Sequence, residues 1–210
     1  FYLNGLIRED VLDFTKLTKT KELELLLEML RERVCSQISY NSLSRYLQIT
    51  PNTVKRYIEI LEALYIVFRV TPFSKNIARS ILKEPKLYFY DTGMVNGDAG
   101  QKLQNAVAIS LKDYAFREYE EKGEIVNLHY IRTKEKKEID FCITRSGKPE
   151  IFYEVKNSDA NLSKTLLDFS IRYQTKAVQL VGNLKKERID NCIEVRKATN
   201  YLAEELGDFL

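Results

Sequence analysis

Three polar residues have the types and the spacing for metal-assisted phosphodiester chemistry: Asp140, followed by Glu154 and Lys156. They lie in two segments, residues 137–144 and 150–156, that are rich in β-branched and aromatic side chains. Two such segments, joined by a short stretch that contains serine, glycine and proline, are typical of an antiparallel β-hairpin. The sequence therefore predicts that neighbouring strands of one sheet carry the three side chains.

The register of this hairpin decides whether the side chains meet. If residues 146–148 form a three-residue loop, the pairing is symmetric about Gly147, and Asp140 lies opposite Glu154 with about 5 Å between Cβ atoms. The two-residue period of a strand then brings Lys156 to the same face. We expect the three side chains to share one site.

Two opposed carboxylates repel each other, so the pair needs a cation, a proton or a salt bridge. Lys156 meets part of this need. Mg²⁺ suits the site better, because it binds through one or two carboxylates and completes its shell with water and phosphate oxygens. In this hypothesis Asp140, Glu154 and Lys156 are catalytic, and Asp140 and Glu154 bind the metal. Lys156 orients an activated water or stabilises charge on the phosphate. The alternative is a solvated strand face, where Glu and Lys two residues apart are ordinary.

Composition limits the classes of protein. The 210 residues are 44% hydrophobic and 30% charged, which indicates a globular chain, and two domains are the better interpretation. We expect a cytoplasmic protein without a membrane partner, because no apolar run reaches the length of a membrane span and no signal peptide is recognisable. The net charge of +3 is too small for a protein that coats nucleic acid, so any contact with DNA must be local.

The cysteine and histidine residues give little indication of a disulfide framework, a metal site or a catalytic base. Cys35, Cys142 and Cys192 are widely scattered without a C-x-x-C pair, which argues against a disulfide framework or a zinc site. We interpret them as reduced thiols. His129, the only histidine, is expected to be a partly buried strand residue, so a histidine base or a His-rich metal cage is disfavoured.

Helical periodicity dominates the first part of the chain. Apolar residues recur at helical spacing after Lys21, Ser39 opens a second helix over residues 40–47, and Thr50-Pro51 is a favourable start for a third. Strands are expected over residues 65–71 and 86–90. This order of elements predicts a winged helix-turn-helix.

In such a module the third helix enters the major groove of DNA. The predicted nucleic-acid contacts are polar residues on the second and third helices: Arg45, Asn52, Thr53, Lys55 and Arg56. Lys75 and Arg79 could add phosphate contacts. The alternative is that the module is a spacer or a dimer contact.

An α/β pattern follows a glycine-containing loop predicted over residues 92–101. We expect a long helix from residue 103, a strand over 124–131, the hairpin, a helix over 161–173 capped by Asn161, a strand over 176–181, a short strand near 192–195 and a C-terminal helix.

The residues around Asp140 and Glu154 resemble the nuclease superfamily written PD-(D/E)xK, which carries Asp on one strand and Glu-x-Lys on the next. The whole chain is similar to the C-terminal region of a large bacterial and archaeal family of AAA-type ATPases, most of unassigned function. Four groups of residues carry this second resemblance: Tyr57-Ile58 with Leu61-Glu62 and Tyr65-Ile66; Pro85-Lys86 with Tyr88-Phe89; Asp91-Thr92-Gly93; and Tyr130 with Arg132, leading to Glu138-Ile139-Asp140-Phe141.

The resemblance implies a mixed α/β protein in which an N-terminal winged helix-turn-helix, residues 1–95, precedes a restriction-endonuclease-like core, residues 101–210. It also implies an N-terminal AAA ATPase module as a partner in the parent protein, and possible homo-oligomers. The Walker A string is absent here, so ATP would act only through that module. The start at Phe1 without Met leads us to expect an excised fragment.

One position departs from the family pattern. The helix before the first core strand usually carries an acid in a Leu-Glu-Asn context, and here the string is Leu103-Gln104-Asn105. Gln104 can offer a carbonyl oxygen but no charge, so a metal would be held more weakly. Glu118 or Glu120, from the same helix, are candidate replacements.

Three hypotheses for function follow. The first is a Mg²⁺-dependent DNA phosphodiesterase, directed by the winged helix and coupled to the ATPase. The second is a catalytically inactive nuclease fold that binds DNA and regulates the ATPase, which Gln104 favours. The third is a protein-interaction arm of the ATPase.

Overall fold

The computed structural model describes residues 20–74, 84–158 and 161–205, and the fold is mixed α/β, as predicted. The described residues form six α-helices, eight strands and one 3₁₀ turn. In chain order these are α1 (Thr20–Arg31), α2 (Tyr40–Leu47), α3 (Pro51–Ala63), β1 (Val67–Pro72), β2 (Lys86–Phe89), the turn Thr92–Met94, α4 (Ala99–Lys122), β3 (Val126–Arg132), β4 (Glu138–Arg145), β5 (Lys148–Ser158), α5 (Lys164–Tyr173), β6 (Lys176–Asn183), β7 (Arg188–Asp190), β8 (Ile193–Lys197) and α6 (Ala198–Glu205).

Side-chain caps fix where several helices begin. The side chain of Ser39 accepts a hydrogen bond at the start of α2, and Thr50 accepts one from the Thr53 amide at 3.1 Å ahead of Pro51. Both predicted caps are confirmed, because a hydroxyl at this position satisfies an amide that has no partner within the helix. The predicted cap of α5 is wrong: Ser163, not Asn161, accepts from the first turn of that helix.

All eight strands belong to one sheet, in the order β2-β1-β3-β4-β5-β6-β8-β7. Strands β3, β4 and β5 are antiparallel neighbours, while β6 runs parallel to β5 and β8 parallel to β6. Strand β1 joins β3 in parallel through two residue pairs, Thr71 with His129 and Pro72 with Tyr130. Strands that precede residues 95–101 and strands that follow them therefore belong to the same sheet. The domain boundary predicted in this segment stays a prediction. Helix α4 begins at Ala99, inside the predicted loop.

Two hydrophobic clusters cover the sheet. The larger one extends from Leu23 in α1 to Tyr201 in α6 and includes buried residues of α4 and of strands β1 to β6. The smaller one joins Phe152 of β5 to Phe169 of α5. Because helices pack against both faces, polar side chains in the central strands are enclosed by apolar neighbours.

Other expectations concern single residues and helices. The three cysteines are free thiols, and His129 is half-buried in β3, as predicted. Among residues 20–74, 84–158 and 161–205, no helix combines the length and the apolar character that crossing a membrane requires. Lys75 and Arg79, predicted phosphate contacts, lie outside the described residues.

Candidate functional site

The β4–β5 hairpin brings the predicted acids together. Phe141 pairs with Tyr153, and just beyond this pair the Asp140 side chain accepts a hydrogen bond from the amide of Val155, the neighbour of Glu154. The Lys156 Nζ atom lies 2.7 Å from Glu154 Oε1. The structure thus places Asp140, Glu154 and Lys156 in one cluster, as the pattern predicted.

The turn that produces this register differs from the prediction. Arg145 pairs with Lys148, and Ser146 and Gly147 have φ angles of 51° and 76°. Two successive positive φ angles define a two-residue type I′ turn, so the predicted three-residue loop is wrong. A register shift in β5 near Glu150 then adds one residue, so the strands reach the expected register by the Phe141–Tyr153 pair.

Both oxygens of Asp140 accept hydrogen bonds. Oδ2 accepts from the Val155 amide at 2.9 Å, and Oδ1 accepts from Gln104 Nε2 at 3.0 Å. Gln104 Nε2 also lies 3.4 Å from the Tyr88 hydroxyl. The side chain that replaces the family's helix acid therefore reaches the cluster, but it presents its amide donor to Asp140. Its carbonyl oxygen is not the atom offered there.

Lys86 is a member of the cluster that sequence reasoning missed. Its side chain is only 3% exposed, with Nζ 2.5 Å from Glu138 Oε1 and 3.8 Å from Asp140 Oδ1. The ammonium also lies 5.4 Å from the centre of the Tyr130 ring. The available signal was a lysine inside the short apolar strand β2, since a buried ammonium requires anionic partners.

Formal charges in the cluster cancel without an added ion. Arg132 lies 2.9 Å from the second oxygen of Glu138, which extends the network toward the surface. Three acids stand against three bases: Glu138, Asp140 and Glu154, with Lys86, Arg132 and Lys156. A cation at Asp140 would therefore compete with Lys86 for the same oxygen.

Glu154 is the least satisfied of the acids. Oε1 is bound by Lys156, but Oε2 is buried and, among the residues that the structure describes, has no hydrogen-bond partner. Burial, followed by the negative charge of Asp140, raises the pKa of Glu154 to about 7. Burial also raises the pKa of Asp140, against the opposing effect of Lys86. The buried environment therefore disfavours the ionised form of both carboxylates.

Lys156 connects the cluster to solvent. Its side chain is 37% exposed, compared with 11% for Glu154. Burial on its own would lower the pKa of Lys156, but the hydrogen bond and charge of Glu154 outweigh this effect and raise it. The ammonium therefore remains charged at neutral pH, where it can contact an anionic group that approaches from outside.

The proposed replacements for the helix acid are wrong. Glu118 bonds to Lys122 at 2.6 Å and to Arg145 at 2.9 Å, near the turn of the hairpin and five residues along β4 from Asp140. Glu120 is exposed. Neither joins the cluster, and no group of three or more His, Cys, Asp or Glu side chains suited to a metal ion occurs in the described ranges.

The residues predicted to contact nucleic acid lie in helices α2 and α3. Arg45, Asn52, Lys55 and Arg56 are exposed, and Lys55 makes a long ion pair of 3.8 Å with Glu59. Thr53 is half-buried, with its hydroxyl 2.9 Å from the Thr50 hydroxyl in the helix cap. Four of the five side chains are therefore accessible to a ligand.

A known protein family matches the first half of the chain. A family described as a domain of unknown function, DUF8612, matches residues 1–105, half of the 210-residue chain. The chain belongs to this family. The match includes helices α1 to α3 and Gln104, while Asp140, Glu154 and Lys156 of this DUF8612 protein lie beyond it.

Curated relatives are also uncharacterized. The uncharacterized protein Rv2008c of Mycobacterium tuberculosis is 26% identical over 149 residues, 66% of this chain and 33% of that protein. The uncharacterized protein MJ1544 of Methanocaldococcus jannaschii is 28% identical over 174 residues, 75% of this chain and 36% of that protein. The DUF8612 chain thus spans about a third of the length of these relatives. No solved structure matches it.

Proposed function

We propose that the chain is a DNA-directed, nuclease-like module whose Asp140-Glu154-Lys156 cluster binds a divalent cation for phosphodiester chemistry. The observation that carries this proposal is that the three side chains lie in one cluster, in which a buried carboxylate oxygen of Glu154 has no hydrogen-bond partner among the described residues. An unsatisfied buried anion of this kind is rare in native structures and calls for an explanation such as an ion.

The donor set fits a weakly held hard cation. Asp140 and Glu154 would hold Mg²⁺, and the ion would supply positive charge that lowers the pKa of a bound water. Lys156 would contact the phosphate, because its exposed ammonium lies beside Glu154. Two features weaken the site: position 104 presents the amide donor of Gln104 in place of a carboxylate, and the ammonium of Lys86 lies near Asp140.

The order of elements supports a winged helix followed by a restriction-endonuclease-like core. Helices α1 to α3 precede the antiparallel pair β1–β2, and α4 precedes the β3–β4–β5 sheet, with α5 connecting β5 to the parallel strand β6. In this proposal α3 contacts DNA through Asn52, Lys55 and Arg56, and Arg45 contacts phosphate. The module would belong to a cytoplasmic AAA-type ATPase, with ATP bound by the N-terminal module of the parent protein.

A second candidate function is a catalytically inactive nuclease fold that serves as a DNA-binding or protein-interaction module. Lys86 favours it, because a buried ammonium 3.8 Å from Asp140 already supplies a positive charge at the acids. Gln104 favours it as well, since its amide satisfies the Asp140 oxygen that a metal would use.

Cleavage assays separate the two candidates. The full chain is incubated with plasmid or single-stranded DNA and Mg²⁺ or Mn²⁺, alongside Asp140→Asn, Lys156→Ala and the surface control Asp113→Asn, which removes a helical ion pair. The nuclease proposal expects metal-dependent cleavage that Asp140→Asn and Lys156→Ala abolish and Asp113→Asn retains. No cleavage with either metal supports the inactive fold, and cleavage that survives the first two variants contradicts a catalytic role of this cluster.

A gain of affinity tests the role of Gln104. Gln104→Glu adds the missing carboxylate beside Asp140, so Mg²⁺ affinity should rise about tenfold, since ligand charge tunes the affinity of such sites. Gln48→Glu makes the same charge change at an exposed helix end and should leave the affinity unchanged. Equal affinities in calorimetric titrations of wild type and Gln104→Glu would remove this helix position from the site.

Charge reversal on α3 tests DNA binding. Fluorescence anisotropy of a labelled duplex should show binding that weakens as salt rises, because phosphate contacts release counterions. Lys55→Glu with Arg56→Glu should weaken it at least about tenfold. Lys185→Glu with Lys186→Glu makes the same charge change next to β7, at the opposite edge of the sheet, and should have a smaller effect. Equal losses in both double variants, or no binding at low salt, contradict the proposed interface.

A further inference from the structure

Gln179 is a buried amide in the middle of the apolar strand β6. Its residue is 0% exposed, and β6 pairs with β5 so that Gln179 lies directly beside Glu154. Paired residues on neighbouring strands point to the same face, with the strands about 4.8 Å apart. The two polar side chains are therefore neighbours on one face of the sheet.

Each of these side chains is anchored through one atom. Gln179 Oε1 accepts from the Ser163 amide at 2.9 Å, and Glu154 Oε1 accepts from Lys156 Nζ at 2.7 Å. The first bond fixes the orientation of the amide, because a flip would turn its NH₂ toward a backbone N–H. Gln179 Nε2 and Glu154 Oε2 are the atoms left over.

These two atoms are among the few buried side-chain atoms of the described residues that have no hydrogen-bond partner. Within residues 20–74, 84–158 and 161–205, three buried side-chain atoms have no hydrogen-bond partner: Arg117 Nε, Glu154 Oε2 and Gln179 Nε2. Arg117 Nε nevertheless lies 3.1 Å from the carboxylate of Asp113. The remaining two are a donor and an acceptor on directly paired residues, which makes a common partner the simplest explanation.

We propose that Gln179 is a positioning residue of the carboxylate site, which together with Glu154 holds one buried, water-sized oxygen ligand between β5 and β6. A water molecule meets both needs, since it accepts from Gln179 Nε2 and donates to Glu154 Oε2. Buried waters in proteins typically make about three such bonds to otherwise unsatisfied groups. The link from this water to a cation rests on the proposed function, but the hydrogen-bonding argument does not.

The ligand gives Gln179 a definite place in the site. The oxygen lies next to the free oxygen of Glu154, where the proposed cation would be bound, so it would complete part of the shell of that cation. Partners behind the first ligands commonly change metal affinity by about 10–100-fold when they are mutated. Gln179 would act through the ligand and not on a substrate.

A crystal structure of the metal-free wild-type chain tests the water directly. The expected result is electron density for one oxygen within hydrogen-bonding distance of both Glu154 Oε2 and Gln179 Nε2. A direct hydrogen bond between the two side chains, or no density between them, overturns the inference.

Solution measurements test the connection to the cation. Gln179→Glu keeps the acceptor for Ser163 and removes the NH₂ donor, and its NMR spectrum identifies the Gln179 side-chain amide by the loss of that signal. Titration with Mn²⁺ should broaden this signal well before that of Gln174, which ends α5 at the opposite end of the helix from Ser163. Gln179→Leu, if folded by circular dichroism, should bind Mn²⁺ about tenfold more weakly.

The outcomes distinguish this inference from the proposed function. The water in crystals, with no Mn²⁺ binding in solution, would retain Gln179 as its ligand and overturn the cation site. Mn²⁺ binding without the water, with the Gln179 signal unaffected, would retain the cation site and overturn the role of Gln179.

Discussion

At the scale of single residues, the cluster is a balance between buried charges. Burial, followed by the negative charge of Asp140, raises the pKa of Glu154 to about 7, although Lys156 and Lys86 act in the opposite direction. The sequence predicted the two acids and Lys156 because hairpin pairing is periodic and local. Lys86 and Gln179 could not be placed this way, because their burial depends on which distant elements cover their strands.

The pKa of Glu154 predicts how stability depends on pH. Its value in the folded state, about 7, lies above the ordinary 4.5, so the folded protein binds the proton more tightly than the unfolded chain. Ionisation of Glu154 therefore costs stability as pH rises from about 4.5 to 7. Glu154→Gln removes this cost and should raise the free energy of unfolding at pH 8 by on the order of 3 kcal/mol.

Urea denaturation of wild type and Glu154→Gln between pH 5 and pH 8 measures this effect. The difference should shrink toward pH 5, where Glu154 is protonated in the folded protein. A variant that is less stable than wild type at pH 8 would show that the ionised carboxylate is well compensated.

Lys86 is predicted to be the most costly charge to remove. Lys86→Met keeps the length of the side chain but leaves Glu138 and Asp140 without their buried cation, so the loss should be about 3–5 kcal/mol. Adding Glu138→Gln should recover part of that loss, because one of the two carboxylates that faced Lys86 is then neutral. Thermal or urea unfolding of wild type and of the single and double variants measures these losses of stability. A loss below 1 kcal/mol in the single variant would mean that solvent already screens this pair.

At the scale of elements, the sequence predicted what local chemistry controls. The caps of α2 and α3 follow from Ser39 and Thr50, whose hydroxyls satisfy the first amides of each helix. The sequence did not predict the turn of the hairpin correctly. A two-residue turn followed by a one-residue shift in β5 gives the same register at the Phe141–Tyr153 pair as a three-residue loop, so the pattern of side chains does not distinguish the two. Strand β7 was missed because three residues carry too little pattern.

The type I′ turn can be tested by substitution. Ser146 has a φ of 51°, which most L-residues adopt unfavourably and Asn tolerates. Ser146→Asn should therefore stabilise the protein by about 0.5–1 kcal/mol, while Gly147→Val, at a φ of 76°, should destabilise it by about 1–2 kcal/mol. Urea midpoints measure both effects, and a destabilised Ser146→Asn would argue against this turn.

At the scale of the whole molecule, one sheet and one large cluster join both halves of the chain. The parallel contact between β1 and β3 connects segments more than fifty residues apart, and no local pattern predicts such a pairing. The sequence did predict the mixed α/β class, since this depends on the order of helical and strand patterns. The larger hydrophobic cluster contains residues of α1 to α4 and of α6.

This continuity predicts a single cooperative unfolding transition. Cys35, between α1 and α2, and Cys142, in β4, report on the two halves, and burial raises the pKa of each thiol to about 12, so both should react slowly when folded. Pulsed alkylation across a urea series, read by mass spectrometry, should give one midpoint for both. Exposed Cys192 should react throughout and serves as the control. Separate midpoints would indicate that the two halves unfold independently.

The central claim is that Asp140 and Glu154 hold a divalent cation. The most direct measurement is the anomalous scattering of crystals of the full chain soaked in Mn²⁺. The account predicts a peak at roughly 2.1 Å from oxygens of both carboxylates, with Oε2 of Glu154 as one ligand. Crystals that show Lys86 still bound to Asp140, with no anomalous peak between the two acids at high Mn²⁺, would contradict it.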